Sequence, residues 1–316
     1  MQERIMSPRI LHFCDPGIAW ECKERNDAEG YAKGIEIKAI RQNEFVPKTT
    51  IKTSVVREDC NSDSEKVQEQ ANAEYWKESS TSRAFGSWKQ IVEVYSKAGL
   101  TMPRDKLIAL SGIARQMSGG LGREYVVGMW RKRLERQLLW QVNTRTSSSR
   151  SPASRATSNM PSFTWASLHT PLGIIYRDAS NGSVGWNQDV DDSDSWNQYF
   201  EVEECEIHLV DEQNPFGLVE HGRLWLRVRY IREIDFVGVS RKSAGWFFLD
   251  SQQTTKNQVA YAQLDVGFDK EILGPRPKFK TYCIPAVWDG TKRGLGHMTC
   301  FLLKRVGETS TGHTEF

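Results

Sequence analysis

The hydrophobic period of this sequence changes from helical to strand-like near residue 161, and that change restricts the architectures open to the chain. Ahead of it, apolar residues recur at helical spacing: Phe85, Trp88, Ile91, Val92 and Tyr95, then Leu107, Leu110, Ile113, Ala114 and Met117. Positions three and four apart share one face of a helix, so each set predicts an amphipathic helix with a buried stripe. Gly99 follows the first stripe; Thr101, Pro103 and Asp105 introduce the second, and Gly119-Gly120 predicts its end. A third helix is predicted over about 123–142, with Val127, Trp130, Leu134, Leu138 and Leu139 inward. Its outward Arg131, Lys132, Arg133 and Arg136 sit among Glu124 and Glu135, as on a solvated face; phosphate or acidic lipid is the alternative occupant.

Beyond residue 161 the period drops to two. In RLWLRVRYI, Leu224, Leu226, Val228 and Tyr230 fall on one face and Arg223, Trp225, Arg227 and Arg229 on the other. Further strands are predicted at 163–168, 205–210, 245–249, 259–266, 281–288 and 298–303, and an acidic loop at 189–196. Helices grouped ahead of strands, not alternating with them, predict an α+β protein whose C-terminal half is a mostly antiparallel sandwich or barrel. The row Arg223, Arg227 and Arg229 can hold an anion or a partner, unless carboxylates nearby make it an ordinary solvated face.

Upstream of the helices, 9–13 and 18–22 read as two short strands joined by the turn Cys14-Asp15-Pro16-Gly17. The organisation predicted is 1–23, a strand pair; 24–80, an irregular polar connection in which 51–56 touches a sheet; 81–142, helical; 143–160, a Ser/Arg-rich flexible loop; and 161–316, β-rich.

Function classes are narrowed mainly by exclusion. Forty-two basic against 40 acidic side chains leave a net charge of +2, which speaks against nucleic acid as partner. Glu3, Arg4, Arg9 and Asp15 interrupt the segment where a signal peptide would lie, and no run of about 18 apolar residues occurs, so no membrane contact is expected and the cytosol is the predicted compartment. Six cysteines form no CxxC pair, and His297 with Cys300 lacks a second ligand pair, so no metal is expected and the thiols are predicted to be free. The sequence contains no phosphate-binding loop, dinucleotide fingerprint, nucleophile elbow or zinc-protease motif, so no cofactor or enzyme activity follows from its motifs.

Three ordered segments carry a resemblance. The first comprises Gln2-Glu3-Arg4, Ser7-Pro8-Arg9, the apolar run 10–13 and Trp20-Glu21-Cys22. The second, 88–117, contains Tyr95-Ser96, Leu100-Thr101, Asp105-Lys106-Leu107 and Leu110-Ser111-Gly112-Ile113-Ala114. The third joins Gly128-Met129-Trp130 and Leu138-Leu139-Trp140 to Pro161-Ser162-Phe163-Thr164-Trp165-Ala166-Ser167, with Phe163 where Trp is frequent. Together they resemble the end of the heterokaryon incompatibility (HET) domain of filamentous fungi and the region that follows it, over roughly residues 1–175. The family's earlier Leu-Ser-Tyr-x-Trp-Gly and Ile-Asp-x-x-Cys-Ile-Asp-Gln blocks have no counterpart, so the resemblance implies a fragment truncated at its front.

The resemblance implies a role in non-self recognition and incompatibility-triggered cell death, exercised through a protein partner, without a cofactor and without catalysis by this chain. It also implies that residues 1–23 are the remnant of an α/β domain distantly similar to the TIR fold. Some TIR domains cleave NAD with a helical glutamate, and Glu3 is the carboxylate this analogy designates, stabilising a ribosyl cation or orienting the ribose. The alternative for Glu3 is a salt bridge to a group such as Arg4 or Arg9, and the alternative for the chain is an anion- or protein-binding β module using Arg223, Arg227 and Arg229.

Overall fold

Phe85, Trp88, Ile91, Val92 and Tyr95 are all buried along one long helix, and this stripe organises the main core. The computed structural model describes residues 2–14, 17–22, 26–29, 68–100, 102–143, 153–155, 160–176, 197–239, 246–250, 260–262, 265, 280–290, 296–305, 307–308 and 314–315. Helix α1 (Gln2–Met6) is followed by an antiparallel sheet of β1 (Arg9–Cys14), β2 (Gly17–Cys22) and β3 (Asn26–Ala28). Helix α2 (Gln68–Tyr95) starts inside the stretch predicted to be irregular, whereas the expected sheet contact of 51–56 and the loop at 189–196 lie outside the described residues.

A 3-10 turn (Pro103–Lys106) leads into α3 (Ile108–Leu121). The predicted inward set, from Leu107 to Met117, is buried. Gly119 and Gly120 do not end this helix. It runs on to Leu121 and stops at Gly122, whose φ of 106° is open to glycine at little cost and whose N–H closes on the Ser118 carbonyl.

Residues 123–142 do not form the predicted third helix. They fold as β4 (Tyr125–Val126), β5 (Met129–Trp130), the short α4 (Leu134–Gln137) and β6 (Trp140–Val142). The reason lies at Val127 (φ 46°) and Gly128 (φ 90°), two central residues with positive φ that make a tight hairpin turn. The Trp88 and Trp165 indoles both donate to the Gly128 carbonyl, at 3.3 and 3.1 Å, and a Cβ at Gly128 would lie 3.0 Å from the Trp165 ring nitrogen. Gln137 fastens the far side: its Oε1 accepts from the Trp130 N–H and its Nε2 donates to the Trp130, Lys132 and Arg133 carbonyls. Val127, Trp130, Leu134 and Leu138 are buried as the helical spacing requires, in a chain path that is not helical.

The predicted loop 143–160 contains β7 (Ser154–Arg155), paired with β8 (Leu168–His169). The predicted strand 163–168 is mostly a 3-10 turn (Trp165–Ser167), because the Thr164 hydroxyl accepts from the Ala166 N–H and caps it. β9 (Ile174–Tyr176) pairs with β6. Next come β10 (Asn197–Gln198), β11 (Phe200–Leu209), β12 (Val219–Val228), β13 (Arg232–Val239), β14 (Trp246–Asp250), β15 (Ala260–Ala262), β16 (Thr281–Gly290) and β17 (Gly296–Lys304).

β16 is the hub of a six-stranded sheet, bordered by β17 on one edge and by β10 and β13 on the other; β11 and β12 form a separate hairpin. Two short strands, β18 (Gly307–Glu308) and β19 (Thr314–Glu315), pair near the end. Every described strand pair is antiparallel, and the protein is α+β. One core runs from Ile5 through α2, α3 and the β4–β5 hairpin to Phe200, Val202, Ala286 and Val287. At its centre Trp88, Tyr125, Trp130 and Phe216 pack edge-on or tilted, with centroids 5.0–6.3 Å apart.

Candidate functional site

Helix α1 carries Glu3 and Arg4 in adjacent positions, about 100° apart around the axis, and they go to different environments. Glu3 is exposed, and its main-chain carbonyl accepts from the Ser7 N–H (3.0 Å) and hydroxyl (2.6 Å). Arg4 turns to the sheet and binds Glu21 through two parallel bonds, Nε to Oε2 at 2.9 Å and Nη2 to Oε1 at 2.6 Å. His12 Nε2 lies 3.1 Å from the same Oε2. The register explains the meeting: Ile10 opposes Glu21 and His12 opposes Ala19, so His12 and Glu21 are diagonal neighbours on one face.

Neither cation that Glu3 was expected to meet is held by it. Arg4 pairs with Glu21, and the Arg9 guanidinium lies 6.0 Å from the centroid of the Trp20 ring. The buried carboxylate of this region is Glu21, 4% exposed, which sequence reasoning passed over. Its signal was Trp20-Glu21-Cys22 within an alternating strand, but only the hairpin register brings His12 to it. Both Glu21 oxygens are engaged, so the group is built as a clamp between helix and sheet. The opposite face of the sheet bears Leu11, Phe13, Ile18 and Trp20, all exposed, with Leu11 opposite Trp20 and Phe13 opposite Ile18.

The Arg223, Arg227 and Arg229 row stands beside acidic residues. Arg223 opposes Glu206 and Arg227 opposes Glu201 in the β11–β12 ladder. Arg227 binds Glu203 through Nη2 and reaches Glu201 at 3.7 Å. Arg229 is exposed just past the end of β12, where its main-chain N–H donates to the Tyr199 carbonyl. Leu224, Leu226 and Val228, on the alternate positions, pack on the core.

Two features were not singled out as candidate sites by the sequence. Lys106 is buried at 5% exposure; its Nζ donates to the Leu168 carbonyl and sits 5.8 Å from the centroid of the Trp165 ring. Burial lowers its pKa to about 8. Second, a cavity of about 390 Å³ opens between the β4–β5 hairpin and the β11–β12 hairpin, with Arg123, Glu124, Arg131 and Cys205 in its lining.

Comparison with family models, with curated proteins and with solved structures finds no match. Among the described residues, no cluster of three His, Cys, Asp or Glu side chains is placed to hold a metal ion, and no helix is long and apolar enough to cross a membrane.

Proposed function

We propose that the chain acts in fungal non-self recognition as part of a HET-domain protein, through protein contacts and not through catalysis of its own. The observation that carries this reading is how the three motif-bearing segments meet. Gln2 of the first segment accepts the Gly112 N–H of the second at 2.9 Å. Trp88 of the second and Trp165 of the third share the Gly128 carbonyl. Tyr95 donates to the Lys106 carbonyl, and Lys106 donates to that of Leu168. Residues that carry the resemblance thus help to join distant parts of the chain, as expected of blocks that belong to one unit.

Two further observations favour contact over chemistry. Glu3 is exposed on a five-residue helix, while the neighbouring Glu21 is consumed by Arg4 and His12. The exposed Leu11, Phe13, Ile18 and Trp20 give the hairpin an apolar face of the kind that protein partners cover. We read the β-rich half as a sandwich in which the β11–β12 hairpin lies on the six-stranded sheet, with Phe200 edge-on to Phe301 at 5.0 Å.

Inducible expression in a filamentous fungus, with dead cells scored by vital dye and total NAD measured, tests the reading. The expected result is a changed fraction of dead cells after fusion, unchanged NAD, and a Glu3→Ala variant equal to the parent. Loss of NAD that Glu3→Ala abolishes would replace this reading with the TIR-like enzymatic one. Unaltered viability under every condition would remove the role altogether.

A further inference from the structure

The cavity between the two hairpins has a volume of about 390 Å³, within the range of roughly 300–1,000 Å³ over which proteins hold small organic ligands. Its apolar wall comes from Val126, Val127, Ile207, Leu209 and Val219. Polar groups come from Arg123, Glu124 and Arg131, two cations against one anion. Cys205 adds a thiol that burial raises to about 11, leaving it neutral at physiological pH and part of the apolar wall.

The geometry is held in place from several sides. The Arg131 main-chain N–H donates to the Glu124 carbonyl at 2.9 Å, and its Nη2 donates to the Val202 carbonyl at 3.0 Å. That anchors the guanidinium at the cavity wall, and only one of its five N–H donors is used in doing so. The loop 210–218 supplies Pro215 and Gly217 to the lining, and Phe216 anchors it among the Tyr125 and Trp130 rings. Arg115 braces the same loop, 5.6 Å from the Phe216 ring centroid and 3.4 Å from Asn214 Oδ1. A Cβ on Gly217 would lie 2.9 Å from the Asn214 carbonyl oxygen, so the loop is tightly folded at the point where it meets the cavity.

We propose that this cavity binds a small organic monoanion with an apolar body, such as an arylalkyl carboxylate, its acid group on Arg131 and Arg123 and its body against Val126, Val127, Ile207 and Val219. An inorganic anion would satisfy the guanidinium groups but leave the aliphatic walls unfilled. A neutral hydrocarbon would fill the walls and strand the fixed Arg131. The site does not depend on the HET reading of the chain.

The test is a fluorescence titration of the full chain with 1-anilinonaphthalene-8-sulfonate, followed by competition at constant ionic strength. The expected result is saturable one-site binding that 3-phenylpropanoate displaces and sulfate does not. Arg123→Ala, at the exposed rim, weakens binding about tenfold, and Val219→Trp, which fills the cavity, abolishes it. Saturating phenylpropanoate also slows alkylation of Cys205 severalfold, a readout that needs no variant. Binding that both variants leave unchanged, displacement by sulfate as readily as by phenylpropanoate, or an unprotected Cys205 would each overturn the proposal.

Discussion

The side-chain oxygen of Gln2 accepts the main-chain N–H of Gly112 at 2.9 Å, tying the first residues of the chain to the middle of α3. A Cβ at Gly112 would lie 2.7 Å from Met6 Sδ and 2.9 Å from Gln2 Nε2, both near the ends of flexible side chains. Gly112→Ala is therefore expected to be nearly neutral, since helix propensity gains about 1 kcal/mol as the contact loosens. Gly112→Leu has no such escape and is expected to lift α1 off α3 at a cost of about 2–3 kcal/mol. Urea unfolding of the two variants measures the difference.

Arg4 and Glu21 form the second tie. With Glu21 only 4% exposed, Arg4→Met strips the Glu21 carboxylate of its bidentate partner, leaving it facing His12 across the sheet, and is expected to cost about 3 kcal/mol. Adding Glu21→Gln to Arg4→Met removes the stranded charge and is expected to recover at least half of that loss. A double-mutant cycle by chemical denaturation checks the coupling.

Lys106 makes stability depend on pH in a defined sense. The unfolded chain keeps the Lys106 proton up to the ordinary value of 10.5, whereas the folded chain releases it near 8. Raising the pH from 8 toward 10 therefore favours the folded state, by about 2 kcal/mol. Above 10 the buried Tyr95, Tyr125 and Tyr176, whose hydroxyls burial pushes up, act in the opposite sense and cut the gain short. The difference in unfolding free energy between the parent and Lys106→Met, followed from pH 7 to 10, is expected to rise with this slope. A flat difference would contradict the burial of a charged amine.

The cysteines are expected to separate by reactivity. A hydrogen bond from the Cys283 thiol lowers the pKa of Cys300 despite its burial, while burial raises Cys205 to about 11. Iodoacetamide at pH 8 is expected to label Cys300 well before Cys205, and Cys283→Ala to slow labelling of Cys300. Peptide mass spectrometry over time reads both rates.

The two helical stripes and the N-terminal hairpin were legible because each follows from local sequence: a wide apolar face on α2 and α3, and the turn-forming residues Pro16 and Gly17 between two short apolar runs. In the region 123–142 the helical spacing misleads for a physical reason. A tight hairpin and one helical turn, folded into a crowded core, bury Val127, Trp130, Leu134 and Leu138 just as a continuous helix would. The contrary sign was Gly128, an isolated glycine among apolar residues, where the chain needs a positive φ and the Trp88 and Trp165 rings approach closely. The arginine row was visible along β12 and just past its end, but Glu201, Glu203 and Glu206 reach it only through the register with β11. The Glu21 clamp and the cavity leave no local pattern in the sequence because both are made by pairing distant segments.

Whether the three motif-bearing segments form one cooperative unit is most directly measured by hydrogen–deuterium exchange of the parent and of Gly128→Ala at low urea. Peptides covering 2–22, 84–100, 108–130 and 160–176 are predicted to open with a common free energy, and the substitution to lower all four together by about 2 kcal/mol, through strain at positive φ and the displaced Trp165 ring. Residues 2–22 keeping their own protection while the other three lose theirs would contradict a single unit.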